Sequence, residues 1–313
     1  MLKYFLKRIM LFIFFSTFIL LLLQSVISYR IHGKTLTGHD NLEQFSAVKA
    51  DLVFLGSSRC RAHFDPLFFD TTYKLKSVNI GVDGHSEISM AIIRLKDYLS
   101  RNTTPKFALL SFDPFVTSGD LKNNVNFVHK NDFARYAFLP DKKDLPLVNY
   151  FKFNYTEKYV PLYALIKYAI IQDAIFLNNE KKWVKYGYDV HPENWDTVAY
   201  PITKTMRDFF SKEKDRFTII SSLDSLKSLC ILNSIKLICV QTPVYKIIYD
   251  DSNFLEPQKI CKELNIPFFD LNKENIRDEM NYFYNSNHLN LLGVHRMNNT
   301  LKSDTSFTNL LIL

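Results

Sequence analysis

The sequence predicts an α/β domain built on a parallel sheet, and three observations carry that expectation. Apolar runs without alternation stand at Leu52–Leu55, Phe107–Phe112 and within Lys236–Gln241. This is how strands covered on both faces read. Each run closes on residues that turn the chain: Gly56, Asp113-Pro114 and Thr242-Pro243. Between the first two runs, Ile88, Ala91, Ile92, Leu95 and Leu99 fall at helical spacing, which is strand–helix–strand logic with right-handed crossovers.

Composition sets the outer limits. The chain has 313 residues, 47% apolar and 23% charged, enough for one large α/β domain or two small ones with a real core. The formal charge of +7 is spread along the chain with no basic block. That argues for mild attraction to anionic surfaces and against nucleic acid as a partner. Aromatics reach 15%, with 27 Phe and 17 Tyr, and core packing is the default reading for them. Cys60, Cys230, Cys239 and Cys261 form no Cys-x-x-Cys pair and match no zinc spacing, so no metal and no cofactor is expected. The last three lie in apolar segments as small core residues. Cys60, two places after Ser58, is a candidate reactive thiol.

The elements follow in order. Ile9 to Ser28 is almost wholly apolar, with Lys3, Lys7 and Arg8 before it and Arg30 and Lys34 after it. Its roughly twenty residues match a hydrocarbon core about 30 Å thick. Residues 1–30 are therefore expected to be a single membrane anchor, with the main domain on the extracytoplasmic (periplasmic) side. A cleaved signal peptide ending near Val26-Ile27-Ser28 is the competing reading, and the length of the run favours the anchor. Residues 31–50 read as a polar linker, and 51–313 as the α/β domain. Leu52–Leu55 is the first strand. Ser77-Val78-Asn79-Ile80 is a second, ending in Gly81-Val82-Asp83-Gly84. Ser86 and Glu87 start a helix that leads to the third strand, Phe107–Phe112.

From about 115 to 215 the periodicity is lost, apart from a helical stretch near Tyr163–Leu177. This reads as an insertion over the carboxyl ends of the strands, where loops build binding surfaces. It carries both tryptophans, Trp183 and Trp195. Beyond it, Ile219–Ser234 reads as helix, Lys236–Gln241 as a fourth strand, Glu256–Leu264 as helix and Pro267–Asp270 as a fifth strand.

The chemistry concentrates at two places. Gly56-Ser57-Ser58-Arg59 follows the first strand, so Ser58 stands where a strand turns into a helix, beside N–H groups that favour developing negative charge. Near the end of the chain stands Asn285-Ser286-Asn287-His288-Leu289-Asn290. A hydroxyl attacks an ester well only when a base removes its proton, and His288 is the candidate base. A helix-capping Ser58 and a purely structural His288 are the bland alternatives. Arg59 and Arg61 are candidates for an anionic substrate group, with ion pairing the commoner use of such residues.

These blocks resemble those of the SGNH (GDSL-like) hydrolase superfamily, and within it the membrane-anchored SGNH-like proteins of bacterial cell envelopes. The likeness runs from about residue 51 to 293, with the insertion unmatched. It implies a flavodoxin-like three-layer sandwich around a parallel sheet of about five strands. It makes Ser58 the nucleophile, with Ser57 where the family has Asp. It gives Gly84, in Asn79-Ile80-Gly81-Val82-Asp83-Gly84, an oxyanion-hole role beside the Ser58 N–H. His288 matches the catalytic histidine. Two positions depart from the pattern. Asp113 stands where the family has an oxyanion Asn, and Asn285 where it has the carboxylate that orients the histidine. Asp113 is thus a candidate site group able to supply the missing anion to His288.

The resemblance implies a serine esterase or O-acyltransferase acting on cell-envelope polysaccharide through a Ser58 acyl-enzyme. Its expected partners are the membrane, a carbohydrate or acyl ester substrate, and a polytopic membrane acyltransferase. A non-catalytic module that binds glycan or an assembly partner is the alternative, favoured by Asn285 and Asp113.

Overall fold

The computed structural model describes residues 1–31, 48–116, 137–138, 153–168, 185–202, 213–249 and 251–312. The chain divides into two compact units. One comprises Met1–Glu43 with Val125–Lys181, and the other Gln44–Asn124 with Lys182–Leu313.

In the first unit, α1 (Leu2–Ile31) is a single helix with nearly all of its apolar side chains exposed. It is long and apolar enough to cross a membrane. Two short helices, α5 (Tyr155–Tyr159) and α6 (Tyr163–Lys167), form a tight pair. Of the helix expected at Tyr163–Leu177, only the part up to Tyr168 falls among the described residues.

The second unit is the α/β domain. Its strands are β1 (Leu52–Leu55), β2 (Ser77–Asn79), β3 (Phe107–Ser111), β4 (Lys236–Gln241) and β5 (Phe268–Asp270), in the spatial order β2-β1-β3-β4-β5. Every neighbouring pair is parallel. This is the flavodoxin-like order, with a switch point between β1 and β3 where ligands are received at the carboxyl ends of the strands. All of β1 and β3 is buried, which is why their sequences show no alternation.

Alternate residues still divide between two cores. Val53 and Leu55 of β1 join α4 (Ile88–Arg101) through Ala91 and Leu95, and α7 (Glu213–Leu232) through Leu223 and Leu226. Cys230, Cys239 and Cys261 lie in this layer, the last on α8 (Asp251–Glu263). Leu52 and Phe54 face the other way. They meet α3 (Pro66–Tyr73), α10 (Leu291–Ser303) and α11 (Thr305–Ile312) through Phe69, Val294, Met297 and Phe307. Phe54 stacks on Phe64 at 5.4 Å and meets Phe69 edge-on at 4.7 Å. The result is the expected three-layer sandwich.

Several elements have no strong periodic signal in the sequence. α2 (Ser58–His63) and α3 are separated at Asp65, which caps α3 by accepting from Leu67 N–H at 2.9 Å ahead of Pro66. The short helix α9 (Glu274–Arg277) leads to a two-stranded hairpin, β6 (Phe283–Asn285) and β7 (His288–Leu289). Asn290 then caps α10 through Gly293 N–H. Gly293 is held by close approach. A Cβ there would run into the Tyr282 carbonyl oxygen and come within 2.8 Å of Leu289 Cδ2.

Gly293→Ala should therefore overpack the junction that fixes the β6–β7 hairpin. The expected cost is about 1–3 kcal/mol, read as an earlier urea midpoint with an unchanged slope.

Candidate active site

The site lies at the carboxyl ends of β1, β3 and β4, beside the switch point. Gly56 ends β1 with φ +142°, and a Cβ there would sit 2.9 Å from Cys60 Cβ. Only glycine lets the chain turn this tightly into α2. Ser57 is the N-cap and makes no side-chain cap bond, so the side chain of Ser58 opens the helix with its first-turn N–H groups uncapped.

Opposite it, the β6–β7 hairpin pairs Asn285 with His288 across a two-residue turn. His288 Nε2 lies 2.9 Å from Ser58 Oγ, and His288 Nδ1 lies 3.0 Å from Asn285 Oδ1. The structure thus brings together residues 58, 285 and 288, which are 230 positions apart at the extremes. The proton positions follow from the turn itself. Asn285 Oδ1 also accepts from the backbone N–H groups of Asn287 (2.9 Å) and His288 (3.0 Å). N–H donors can only meet the amide oxygen, so that oxygen faces Nδ1, and Nδ1 must carry the proton. Nε2 is then the acceptor for the Ser58 hydroxyl. Asn285 selects the tautomer a general base needs, without supplying charge.

The lack of charge shows in the titration of His288. Its pKa is lowered to about 3, first by burial, then by the positive Arg59 and by His191, with Asp83 opposing. His63, wholly buried behind it at 5.9 Å between ring centroids, is also pushed well below its usual value by burial and Arg59. The site therefore holds neutral imidazoles.

Arg59 makes the ion pair that is the commoner use of such a residue, and Asp113 is its partner. Neither offers itself to a substrate, for both are buried and bound to each other, Arg59 Nε to Asp113 Oδ2 at 2.6 Å. Asp113 also accepts from Phe115 N–H. Both ring nitrogens of His288 are taken by Ser58 and Asn285, so Asp113 does not orient it. This corrects the expectation that Asp113 could replace the missing carboxylate. The physical reason is proximity to a stronger partner, a guanidinium one residue beyond the nucleophile. Arg59 also donates to Thr242 O (2.7 Å), Thr242 Oγ1 (2.8 Å) and the Asn287 carbonyl beside His288. Arg61 is likewise buried, 3.8 Å from Asp189.

Gly84, itself exposed, lies in a turn between the buried Val82 and His85, in which His85 N–H donates to Val82 O. Val82 N–H in turn donates to Gly56 O at 2.9 Å, which ties this turn to the one carrying Ser58. Cys60 is buried, donates to Asn79 Oδ1, and has its thiol pKa raised by burial. It is a core residue, not a reactive one. Trp195 is packed edge-on to Tyr245 at 5.2 Å, and Trp183 lies outside the described residues.

Three supporting groups have contacts that a sequence reading does not show. Asn79 Nδ2 donates to the carbonyls of Cys60 and Phe64 and so pins α2 to the end of β2. His63 accepts from Leu289 N–H at 3.0 Å and reaches Thr242 Oγ1 at 2.9 Å. Tyr284 stacks between His191 (3.9 Å) and His288 (5.3 Å). The only sequence signal for them is their closeness to the motif turns.

Arg59→Met should leave Asp113 buried without its partner and destabilise the domain by about 3–5 kcal/mol. Adding Asp113→Leu removes the stranded charge and should recover part of that loss, measured as a double-mutant cycle in denaturant.

No protein-family model matches the sequence, and no curated protein matches it. Among solved structures, the chain is similar to a "putative acylhydrolase" from Bacteroides fragilis, at 14% identity and TM-score 0.37, covering 90% of this chain and 95% of that one. It is also similar to a GDSL-like lipase from Bacteroides thetaiotaomicron, at 13% identity and TM-score 0.34, covering 80% and 85%. The fold is read from this chain's own strand order and the site from its own hydrogen bonds.

Proposed function

We propose that the chain is an SGNH-type serine esterase or O-acyltransferase working through a Ser58 acyl-enzyme. The observation that supports it most is the relay Ser58 Oγ–His288–Asn285, with the tautomer set for base catalysis. Ser58 Oγ attacks the acyl carbonyl as His288 Nε2 takes its proton. The developing oxyanion is held by the N–H groups of Ser58 and Gly84. His288 returns the proton to the leaving alcohol, and water or a second hydroxyl then takes the acyl group. In this reading α1 anchors the domain on the outer side of the membrane, the substrate is a cell-envelope glycan ester, and a polytopic acyltransferase supplies or receives the acyl group.

Magnitudes suggest a slow enzyme. An oxyanion donor missing at Asp113 costs about 10²–10³ in rate. An amide in place of the orienting carboxylate costs up to about 10⁴ in a protease triad. A nucleophile, a base and backbone donors remain. The second reading, a module that binds glycan or an assembly partner without turning it over, is favoured by the depressed pKa of His288, since so weak a base extracts a proton poorly.

A fluorophosphonate probe should label the parent and not Ser58→Ala. Absence of labelling in a folded parent would hand the argument to the binding module.

Asn285→Asp should raise turnover of a small acetyl ester, by about tenfold to a hundredfold, within the ceiling of about 10⁴ for the reverse change. The pH profile gives a second readout. His288 at about 3 stays neutral well below the usual histidine pKa of about 6.5, so kcat/KM of the parent should be flat from neutral pH to about pH 5. The new carboxylate raises the His288 pKa and moves that acid limb upward. Stability behaves differently. Below about pH 6.5 the unfolded chain protonates His63 and His288 while the folded chain does not. Stability should therefore fall as the pH falls through that range, seen as a declining melting temperature.

A further inference from the structure

In the first unit, the helical pair α5–α6 combines a buried carboxylate with an exposed apolar face. Its charge is inside: Glu157 is wholly buried, paired with Lys167 Nζ at 2.6 Å and accepting from Tyr168 OH at 2.8 Å. Glu157 also closes a capping box with Asn154. Leu162, Ala164 and Leu165 are buried, but five other apolar side chains lie outside. Tyr155 is 75% exposed and Ile166 60%, with Tyr159, Val160 and Tyr163 also exposed. A surface in water is not built this way unless something covers it.

The position of the pair says what covers it. Leu162, at the corner between the two helices, donates its N–H to Gln24 Oε1 of α1 at 2.6 Å. Gln24 is itself buried, and its Nε2 donates to Ser28 Oγ one turn on. It follows the apolar stretch Phe18–Leu23, near the outer end of the Ile9–Ser28 run. At helical rise it lies about 24 Å along the axis from Arg8. With Lys7 and Arg8 snorkelling, that span reaches across a hydrocarbon core about 30 Å thick. Gln24 therefore stands at the boundary between acyl chains and headgroups. A polar side chain at that depth needs a partner because hydrocarbon offers none, and Leu162 N–H is that partner.

We propose that residues 153–168 are a membrane-interface collar, held against the outer end of α1 and seated among lipid headgroups by Tyr155, Tyr159, Val160, Tyr163 and Ile166. The proposal rests on the reading of α1 as a membrane span. Tyrosines are enriched at this depth because the ring is apolar and the hydroxyl wet. Lys167 Nζ pairs with Glu157 and lies 5.3 Å from the Tyr168 ring centroid. The lipid bilayer, continuous with the surface that α1 exposes, is the occupant.

The test uses the full chain in phosphatidylethanolamine–phosphatidylglycerol vesicles. The native cysteines are buried, so Tyr159→Cys, Ile166→Cys and Phe14→Cys can each be labelled singly with a nitrobenzoxadiazole fluorophore. Lipids carrying a nitroxide near the headgroup should quench the labels at positions 159 and 166 several-fold more than lipids carrying it near the chain end. The label at position 14 should show the reverse preference. Deep quenching at 14, with the labels at 159 and 166 reached only by an aqueous quencher, would overturn the collar and leave the anchor standing. Absence of lipid quenching at 14 would overturn the anchor, and the collar with it.

Discussion

One guanidinium holds the Ser58 end of the α/β domain together. Arg59 follows Ser58 in α2, and its donors reach Asp113 beyond β3, Thr242 beyond β4, and the Asn287 carbonyl in the histidine turn. Four segments distant in sequence converge on one buried cation. Removing a charge from water costs several kcal/mol, recovered only when the group is paired and its donors are satisfied. Displacing any of the three loops would strand part of the guanidinium. Through its bond to Asn287, Arg59 also sets the turn that aims His288 at Ser58. The same charge raises the cost of protonating His288 and so contributes to its depressed pKa. Rigidity and weak basicity have one origin.

Asn285 is part of the same compromise. Its amide oxygen gathers three N–H groups within one turn: two from the backbone and one from the imidazole. Geometry is served as well as a carboxylate would serve it. Charge is not, and Arg59 close by disfavours an imidazolium. Asp83 is the acidic group that acts on His288 in the opposite sense, and burial outweighs it.

The boundary between the sequence and the fold runs through particular residues. Leu52–Leu55 and Phe107–Ser111 were legible as buried parallel strands because both of their faces are covered, which leaves a mark in one dimension. α4 was legible because its apolar stripe repeats at the helical period. Ser58 and His288 were legible as a pair only through the blocks around them, Gly56-Ser57-Ser58 and Asn285-Ser286-Asn287-His288, since 230 positions separate the two side chains.

The partner of Asp113 was decided by tertiary structure alone. By order along the chain it could serve the histidine, but by packing it meets Arg59 first, and a buried carboxylate binds the nearest satisfiable cation. Asn79, His63 and Thr242 were likewise invisible as supports, because each acts through a backbone group or hydroxyl with no sequence pattern. The exposed apolar face of residues 153–168 was unreadable for a further reason. Tyr and Ile among Lys and Glu look like any short amphipathic stretch until the fold shows which side faces out. Local propensity and periodicity are written along the chain, whereas the choice among equally plausible polar partners is made by distance, which only the folded chain possesses.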